Sequence, residues 1–223
     1  MPRATTSASR EDYLKAIWEM AQEDHAPIGA RLAEELGVTP PAVTAALKRM
    51  VRDGLVHMER DGAIRLSAKG RGEAERLALR HQLAEKLLTD VIGLHWTRAH
   101  DAAERLEHGL SPEVEALLLQ RFGVESSCPH GMPLRGGLAR LRKTREAISL
   151  AEAPAGSNVE VLAVYEKDPE FLRFLDERGL RPGVRLRVVR REYDETTTIM
   201  AAGRKIYLGK PATSRIWVRV LKT

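Results

Sequence analysis

The chain has 223 residues, 43% of them apolar and 30% charged, and a formal net charge of +5, as is typical of a globular protein with one to three domains. No apolar run approaches the roughly 20 residues that cross a membrane, and residues 1–9 lack the apolar core of a signal peptide. Cys128 has no second cysteine with which to form an intrachain disulfide, so we expect a cytoplasmic protein without a membrane anchor.

Three short helices are predicted at the start of the chain. Ser9 to Asp12 form a capping box, followed by apolar residues at helical spacing. Residues 28–36 form a second helix that Gly37 ends, and Pro40-Pro41 can start a third helix that runs to residue 52. Two short helices joined by a turn that contains glycine are typical of a helix-turn-helix.

A hairpin is predicted directly after the third helix. Residues 55–60 and 63–67 alternate as strands on either side of a two-residue turn, Asp61-Gly62. A hairpin in this position makes a wing, so the pattern favours a winged helix-turn-helix over its alternative, a generic small helical subdomain.

A DNA-binding winged helix would use the start of the third helix and the wing. Hydroxyl groups there reach phosphates or base edges, small apolar groups contact thymine methyls, and cations anchor the backbone. The candidate residues are Thr39, Pro40, Pro41, Ala42, Thr44, Ala45, Lys48, Arg49, Arg60 and Arg65. Each cation could equally be solvated surface. No Arg, Gln or Asn lies near the helix start, so we expect DNA shape and dimer spacing to supply much of the specificity.

Positive charge is concentrated in two stretches of the chain. Residues 38–72 hold seven Lys and Arg against three Asp and Glu, which suits a nucleic-acid surface. Residues 158–223 hold 14 against nine and are a competing candidate.

The middle of the chain predicts further helices over 70–92, 97–109 and 112–122, the last with Ser111 as its cap. Their wide apolar faces suit packing between subunits. We therefore expect a homodimer that binds a two-fold operator in double-stranded DNA.

Two of these helices have His and Glu at helical spacing. On the later helix, the residues at positions i, i+4, i+7 and i+8 are His100, Glu104, Glu107 and His108, which share one helix face. On the earlier helix, His81 and Glu85 are an i, i+4 pair. Such a stripe is usually a solvated face, but here it adjoins an apolar row, and His and carboxylates are ligands of divalent metals. We interpret it as a metal site.

The loop over residues 126–137 contains Cys128 and His130. An i, i+2 pair in a Pro/Gly-rich loop without a second pair is a weak metal signal, so we interpret both residues as structural. Residues 149–157 are predicted to be a linker. Beyond it the apolar period is two, which predicts a small β-barrel over 158–223.

These residues resemble the diphtheria-toxin-repressor family of metal-dependent transcriptional regulators over essentially the whole chain. The most specific block runs from His81 to Leu94 and continues through His100-Asp101 to Glu107-His108. The resemblance implies a mostly α protein with a small β domain. It also implies three domains: a winged helix over 1–73, a helical dimerisation and metal-binding domain over 74–148, and an SH3-like (FeoA-type) barrel over 158–223.

The resemblance implies two metal sites in each subunit. The primary set is Asp12, Glu104, Glu107 and His108, and the ancillary set is His81, Glu85 and His100. In iron-dependent members the barrel adds ligands to the ancillary site, and Glu166 and Glu170 lie in the matching region.

Departures from the family pattern favour Mn²⁺ as effector over Fe²⁺, the alternative. Iron-responsive members have Met and Cys where Asp12 and Glu104 stand, and carboxylates prefer a harder ion. Lys15 occupies a position where manganese-responsive members often have another carboxylate, so we expect two separate sites rather than a two-metal cluster.

The expected function is therefore Mn²⁺-dependent regulation of metal-homeostasis genes, without catalysis or a small organic substrate. Two rivals remain. A metallohydrolase would use the same His/Glu set but would leave the winged helix unexplained, and it would need a substrate domain and general base. A metal-independent DNA-binding regulator would treat the acidic stripe as surface.

Overall fold

The computed structural model describes residues 9–23 and 26–221, which belong to two compact units. The first unit ends at Arg80 and the second begins at His81. The expectation that the chain has no signal peptide concerns residues 1–8, which lie outside the described residues. The start of the predicted winged helix and the end of the predicted barrel also lie outside them. In the described ranges, no helix is long and apolar enough to cross a membrane.

The first unit begins with helices α1 (Arg10–Gln22), α2 (Gly29–Leu36) and α3 (Pro40–Arg52). The predicted capping box is present, because Ser9 and Asp12 exchange backbone-to-side-chain hydrogen bonds at 2.7 and 3.2 Å. Gly37, in the left-handed conformation, ends α2, and Thr39 caps α3. Apolar faces of the three helices form one core, whose fully buried members include Leu14, Ile17, Leu32, Met50 and Leu55.

The wing is an antiparallel pair of strands, β1 (Val56–Met58) and β2 (Ile64–Leu66), with Met58 opposite Ile64. The connection therefore spans residues 59–63, and the predicted two-residue turn was too short. A two-residue type I′ turn needs positive φ at both central residues, whereas here Gly62 has φ 84° and Asp61 does not have positive φ. The Asp61 carboxylate instead accepts a hydrogen bond from the Ala63 main chain at 3.0 Å.

The helices that follow are α4 (Ala68–Lys86), α5 (Ala99–Leu106), α6 (Pro112–Phe122) and α7 (Gly137–Arg145). Two predicted helices change their winding along their length. The one predicted over 70–92 becomes a π-helix at Leu87–Val91, and the one predicted over 97–109 becomes a 3-10 turn at Glu107–Gly109. The tighter turn rotates Glu107 inward and leaves His108 exposed.

The carboxyl-terminal part of the second unit is a six-stranded antiparallel sheet. Its strands are β3 (Ile148–Ser149), β4 (Asn158–Val164), β5 (Arg185–Arg191), β6 (Thr197–Ala201), β7 (Arg204–Leu208) and β8 (Ile216–Val220), in the order β3-β8-β4-β5-β6-β7. Helices α8 (Pro169–Glu177) and α9 (Lys210–Thr213) connect strands. Two residues of the predicted linker, Leu150 and Ala153, are buried in the core of this sheet domain, whereas Glu152 and residues 154–156 are exposed.

Candidate metal centre

Six side chains of the types that can ligate a metal ion meet in the second unit, in what we call the central cluster. They come from α4, α5, the loop after α6, and the segment that follows β4: His81, Glu85, His100, Cys128, His130 and Glu166. Two overlapping groups within it have all their ligand atoms within 4.8 Å of one another. One is His81, Glu85, His100 and Glu166, and the other, the Cys/His set, is Glu85, Cys128, His130 and Glu166.

Glu85 lies at the centre of the cluster and is 0% exposed. Its Oε1 is 3.2 Å from Nε2 of His81, 3.5 Å from Nδ1 of His100 and 3.1 Å from Nδ1 of His130. Its Oε2 is buried without a hydrogen-bond partner among the described residues. A buried carboxylate oxygen without a partner costs free energy, and a cation bound here would satisfy it. The donor set therefore fits a divalent metal ion.

Hydrogen bonds outside the cluster orient two of its imidazole rings. Nδ1 of His81 lies 2.5 Å from Oε2 of Glu107, and Nε2 of His130 lies 3.0 Å from the main-chain oxygen of Trp96. Because these oxygens accept, each of those nitrogens holds the proton. In the neutral rings, Nε2 of His81 and Nδ1 of His130 are then lone-pair donors that face Glu85, as in metal-ligating histidines.

A close backbone approach holds the Cys128–His130 loop against β4. Gly131 has φ 91°, and a Cβ at this position would lie 2.0 Å from the main-chain oxygen of Leu162. The main-chain oxygen of His130 accepts from the amide of Val164 at 2.9 Å. Only glycine fits here, and the contact brings the loop beside Glu166, two residues beyond the end of β4.

When no cation is bound, protons on the histidines of the cluster offset the negative charge of its glutamates. Burial raises the pKa of Glu85, but His130 and His81 outweigh it and hold this pKa well below its usual range. Burial lowers the pKa of His100, but Glu104 and Glu85 outweigh it and raise it to about 10. Burial and the neighbouring carboxylates raise the pKa of the Cys128 thiol. A divalent cation would displace these protons, so its binding is coupled to proton release.

The three residues of the primary set that lie in the second unit differ in exposure. Glu107 is buried, whereas the side chains of Glu104 and His108 are 51% and 37% exposed. His108 Nε2 lies 3.8 Å from Oε1 of Glu107. Asp12 belongs to the first unit, where it completes the cap of α1. Its role as a ligand with the other three stays a prediction.

The two carboxylates predicted from the barrel have different positions. Glu166 belongs to the central cluster, with Oε2 3.4 Å from Nδ1 of His130 and 3.7 Å from Sγ of Cys128. The Glu170 side chain is 90% exposed on α8, 3.9 Å from Arg173, and lies outside the cluster.

The loop sequence predicts a structural role for Cys128 and His130, yet both lie in the cluster. The signal for a metal site is the pair itself, a Cys and a His separated by one residue of a loop. Their partners, Glu85 and Glu166, are distant in the chain.

The residues predicted to contact DNA lie on the surface of the first unit. Two hydroxyls are engaged locally, since Oγ1 of Thr39 accepts from the Ala42 amide and Oγ1 of Thr44 donates to the Pro40 main chain. Arg65 pairs with Glu59 at 3.0 Å. The exposed cations Lys48, Arg49 and Arg60 have no ion pair within residues 9–23 and 26–221. Of the four predicted cations, these three are therefore the most available to phosphates.

A winged helix in the first unit and the central cluster in the second are the combination typical of metal-dependent DNA-binding regulators. The family models for the iron-dependent repressor match the chain at the N-terminal DNA-binding domain (residues 5–64) and the metal-binding and dimerisation domain (residues 67–134). A FeoA domain model matches residues 148–220. The chain belongs to the iron-dependent repressor family of metal-dependent transcriptional repressors.

Individual relatives agree with this assignment. The diphtheria toxin repressor of Corynebacterium efficiens is 35% identical over 188 residues, which are 80% of this chain and 82% of that protein. The iron-dependent repressor IdeR of Mycobacterium tuberculosis is 35% identical over 189 residues, which are again 80% of this chain and 82% of that protein. A solved manganese-dependent transcriptional repressor in complex with manganese is 31% identical, with a TM-score of 0.86, and the match covers 96% of this chain and all of that one.

Proposed function

We propose that this protein uses Mn²⁺ as co-effector to regulate metal-homeostasis genes, binding a two-fold operator as a homodimer in the cytoplasm. One observation carries the proposal: a buried cluster of six metal-ligating side chains occurs in a chain that also contains a winged helix. The buried Glu85 oxygen and the orienting hydrogen bonds of His81 and His130 are what a cation site requires.

The proposed primary ligands are Asp12, Glu104, Glu107 and His108. Three carboxylates and one imidazole form a hard donor set, which favours Mn²⁺ over softer ions. The proposed ancillary ligands are His81, Glu85, His100 and Glu166, and the Cys/His set offers a second way to complete coordination around the same two carboxylates. Cys128 and His130 extend the proposed ancillary site beyond the residues that the family resemblance implied.

The regulatory step depends on where Asp12 is held. Glu104 and Glu107 place negative charge at the end of α5, and like charges oppose the approach of a third carboxylate. Asp12, Glu104, Glu107 and His108 would hold a divalent cation, whose positive charge would offset this repulsion. Asp12 would then join the two glutamates and restrain the first helix of the winged domain, which would favour DNA binding. By linkage, DNA must tighten metal binding by the same factor.

Glu107 connects the two proposed sites, because its Oε2 lies 2.5 Å from Nδ1 of His81 and its Oε1 is 3.8 Å from His108. Ligation at the primary site therefore also orients a ligand of the ancillary site. We propose that ancillary binding supports the primary site through this hydrogen bond.

Fe²⁺ is the second candidate effector, and a specific observation favours it. Cys128 places a sulfur ligand in the central cluster, and sulfur prefers softer ions than Mn²⁺. The metallohydrolase alternative is less favoured, because Glu85 and His130 are fully buried and leave little room for a substrate.

The test is fluorescence anisotropy with a labelled upstream DNA fragment from the protein's own genome, in chelator, in Mn²⁺, and in Fe²⁺ under anaerobic conditions. We expect Mn²⁺ to drive binding at lower concentration than Fe²⁺. Equal or better action of Fe²⁺ would overturn the choice of metal. If the chelator leaves DNA binding unchanged, the metal-dependent function itself would be overturned.

A further inference from the structure

One face of the barrel sheet is rich in cations that the proposed metal switch does not use. Side chains alternate along β5, so Leu186 and Val188 point into the core while Arg185 and Arg187 are exposed on the opposite face. The same face continues across the sheet, because Arg187 lies opposite Met200 of β6, which in turn lies opposite Lys205 of β7.

Most of the positive charge on this face is not neutralised. Arg185, Arg187 and Lys205 have no ion pair in the part of the chain that the structure describes. The carboxylate of Glu160, opposite Arg185, is bound by Arg219 at 2.6 Å. Unpaired guanidinium groups on a rigid strand keep their donors available to an anionic partner.

A shallow pocket of about 430 Å³ lies between these arginines, lined by Asn158, Arg185, Leu186, Arg187, Met200 and Leu221. None of its lining residues is acidic, and its polar groups are donors or neutral. Arg185 and Arg187 are two positions apart on one strand, about 7 Å. The pocket therefore presents two guanidinium groups to an extended anion.

We propose that this face, the β5 basic face, binds the phosphate backbone of double-stranded DNA adjacent to the operator. The proposal rests on the proposed function, because the winged helix of the same chain must first hold DNA. Tethering then raises the effective concentration of flanking phosphates at the barrel, so weak contacts become significant. Such contacts add affinity and salt dependence but no base specificity.

The test compares the full chain with Arg185→Gln/Arg187→Gln, at several salt concentrations in Mn²⁺, on a short operator duplex and on one extended by about 20 base pairs on each side. Arg135→Gln/Arg173→Gln is the matched control, since it removes two exposed cations that lie off this face. Thermal unfolding checks that each variant is folded.

On the extended duplex we expect the slope of log affinity against log salt to fall by about 1.8 for each bound subunit, about 0.9 for each lost phosphate contact. Affinity there should fall roughly tenfold at physiological salt. On the short duplex the variant should match the control. Equal slopes on the extended duplex would overturn the β5 basic face as a DNA contact, as would equal losses on both duplexes.

Failure of the proposed function gives a different result, because the wild-type protein would then show no metal-stimulated binding on either duplex.

Discussion

The two proposed metal sites differ in how completely the second unit supplies their ligands. The ancillary ligands come from α4, α5 and the segment after β4, and the histidines and Glu85 among them are almost fully buried. The primary ligands of this unit are exposed at Glu104 and His108, and only Glu107 is buried. The proposed ancillary site is therefore preorganised by one unit, whereas the proposed primary site would also need Asp12, which belongs to the first unit. A site that takes a ligand from a separate part of the chain is suited to regulation.

The largest effect should come from removing Asp12, the proposed ligand from the first unit. Asp12→Asn keeps a side-chain oxygen that accepts from the Ser9 amide, so α1 stays capped. The substitution removes only the negative charge of the carboxylate. We expect a loss of Mn²⁺-stimulated DNA affinity on the order of a hundredfold in an anisotropy titration. Glu11→Gln, with the same charge change one residue away, is the control. Wild-type behaviour of Asp12→Asn would mean that Asp12 only caps its helix.

Glu107→Gln should weaken both proposed sites at once, because it removes a proposed primary ligand and the carboxylate that orients His81. Loss of such an orienting partner typically lowers metal affinity by about 10- to 100-fold. Isothermal titration with Mn²⁺ should show weaker binding in both phases, while the exposed Glu113→Gln on α6 should leave them unchanged. If only one phase weakens, the two sites are independent.

Cys128→Ser should change the metal preference of the ancillary site without affecting the primary one. A hydroxyl is a poorer ligand than a thiolate for soft ions, so Zn²⁺ affinity should fall roughly tenfold and Mn²⁺ affinity much less. Competition with a chromogenic chelator measures both. Equal changes for the two ions would show that the Cys128 sulfur is not a ligand.

The smallest effect should come from the start of α8, two residues beyond Glu166. The amide of Phe171 and the guanidinium of Arg215 hold the pKa of Asp168 below its usual value. Its stabilisation is therefore present above about pH 4 and is lost as the pH falls through the folded pKa. Asp168→Ala should cost about 1 kcal/mol at pH 7 in urea unfolding, and the cost should shrink at acid pH. A cost that does not depend on pH would contradict this.

Local patterns were sufficient for the parts of the fold that local chemistry decides. The capping box at Ser9, the Thr39 cap with Pro40, and the wing strands all follow from short-range signals. The spacing of His81 with Glu85 on one helix was also readable, because i, i+4 residues are neighbours whatever the tertiary fold.

Long-range packing decided what the sequence left open. The inclusion of Cys128 and His130 depends on Gly131 lying against Leu162, a contact that no periodicity encodes. The choice of Glu166 over Glu170 depends on where β4 ends and α8 begins. The inward rotation of Glu107 depends on a 3-10 turn at the end of α5, which the helical spacing alone did not predict.

The most direct test of the account is the Mn²⁺ stoichiometry of the full chain by equilibrium dialysis, for wild type, Glu166→Gln and Glu170→Gln. The two substitutions make the same change four residues apart, one inside the central cluster and one on exposed surface. We predict two ions per subunit for wild type and Glu170→Gln, with one of them weakened at least tenfold in Glu166→Gln. Two ions bound with unchanged affinity in Glu166→Gln, or none in wild type, would contradict the account.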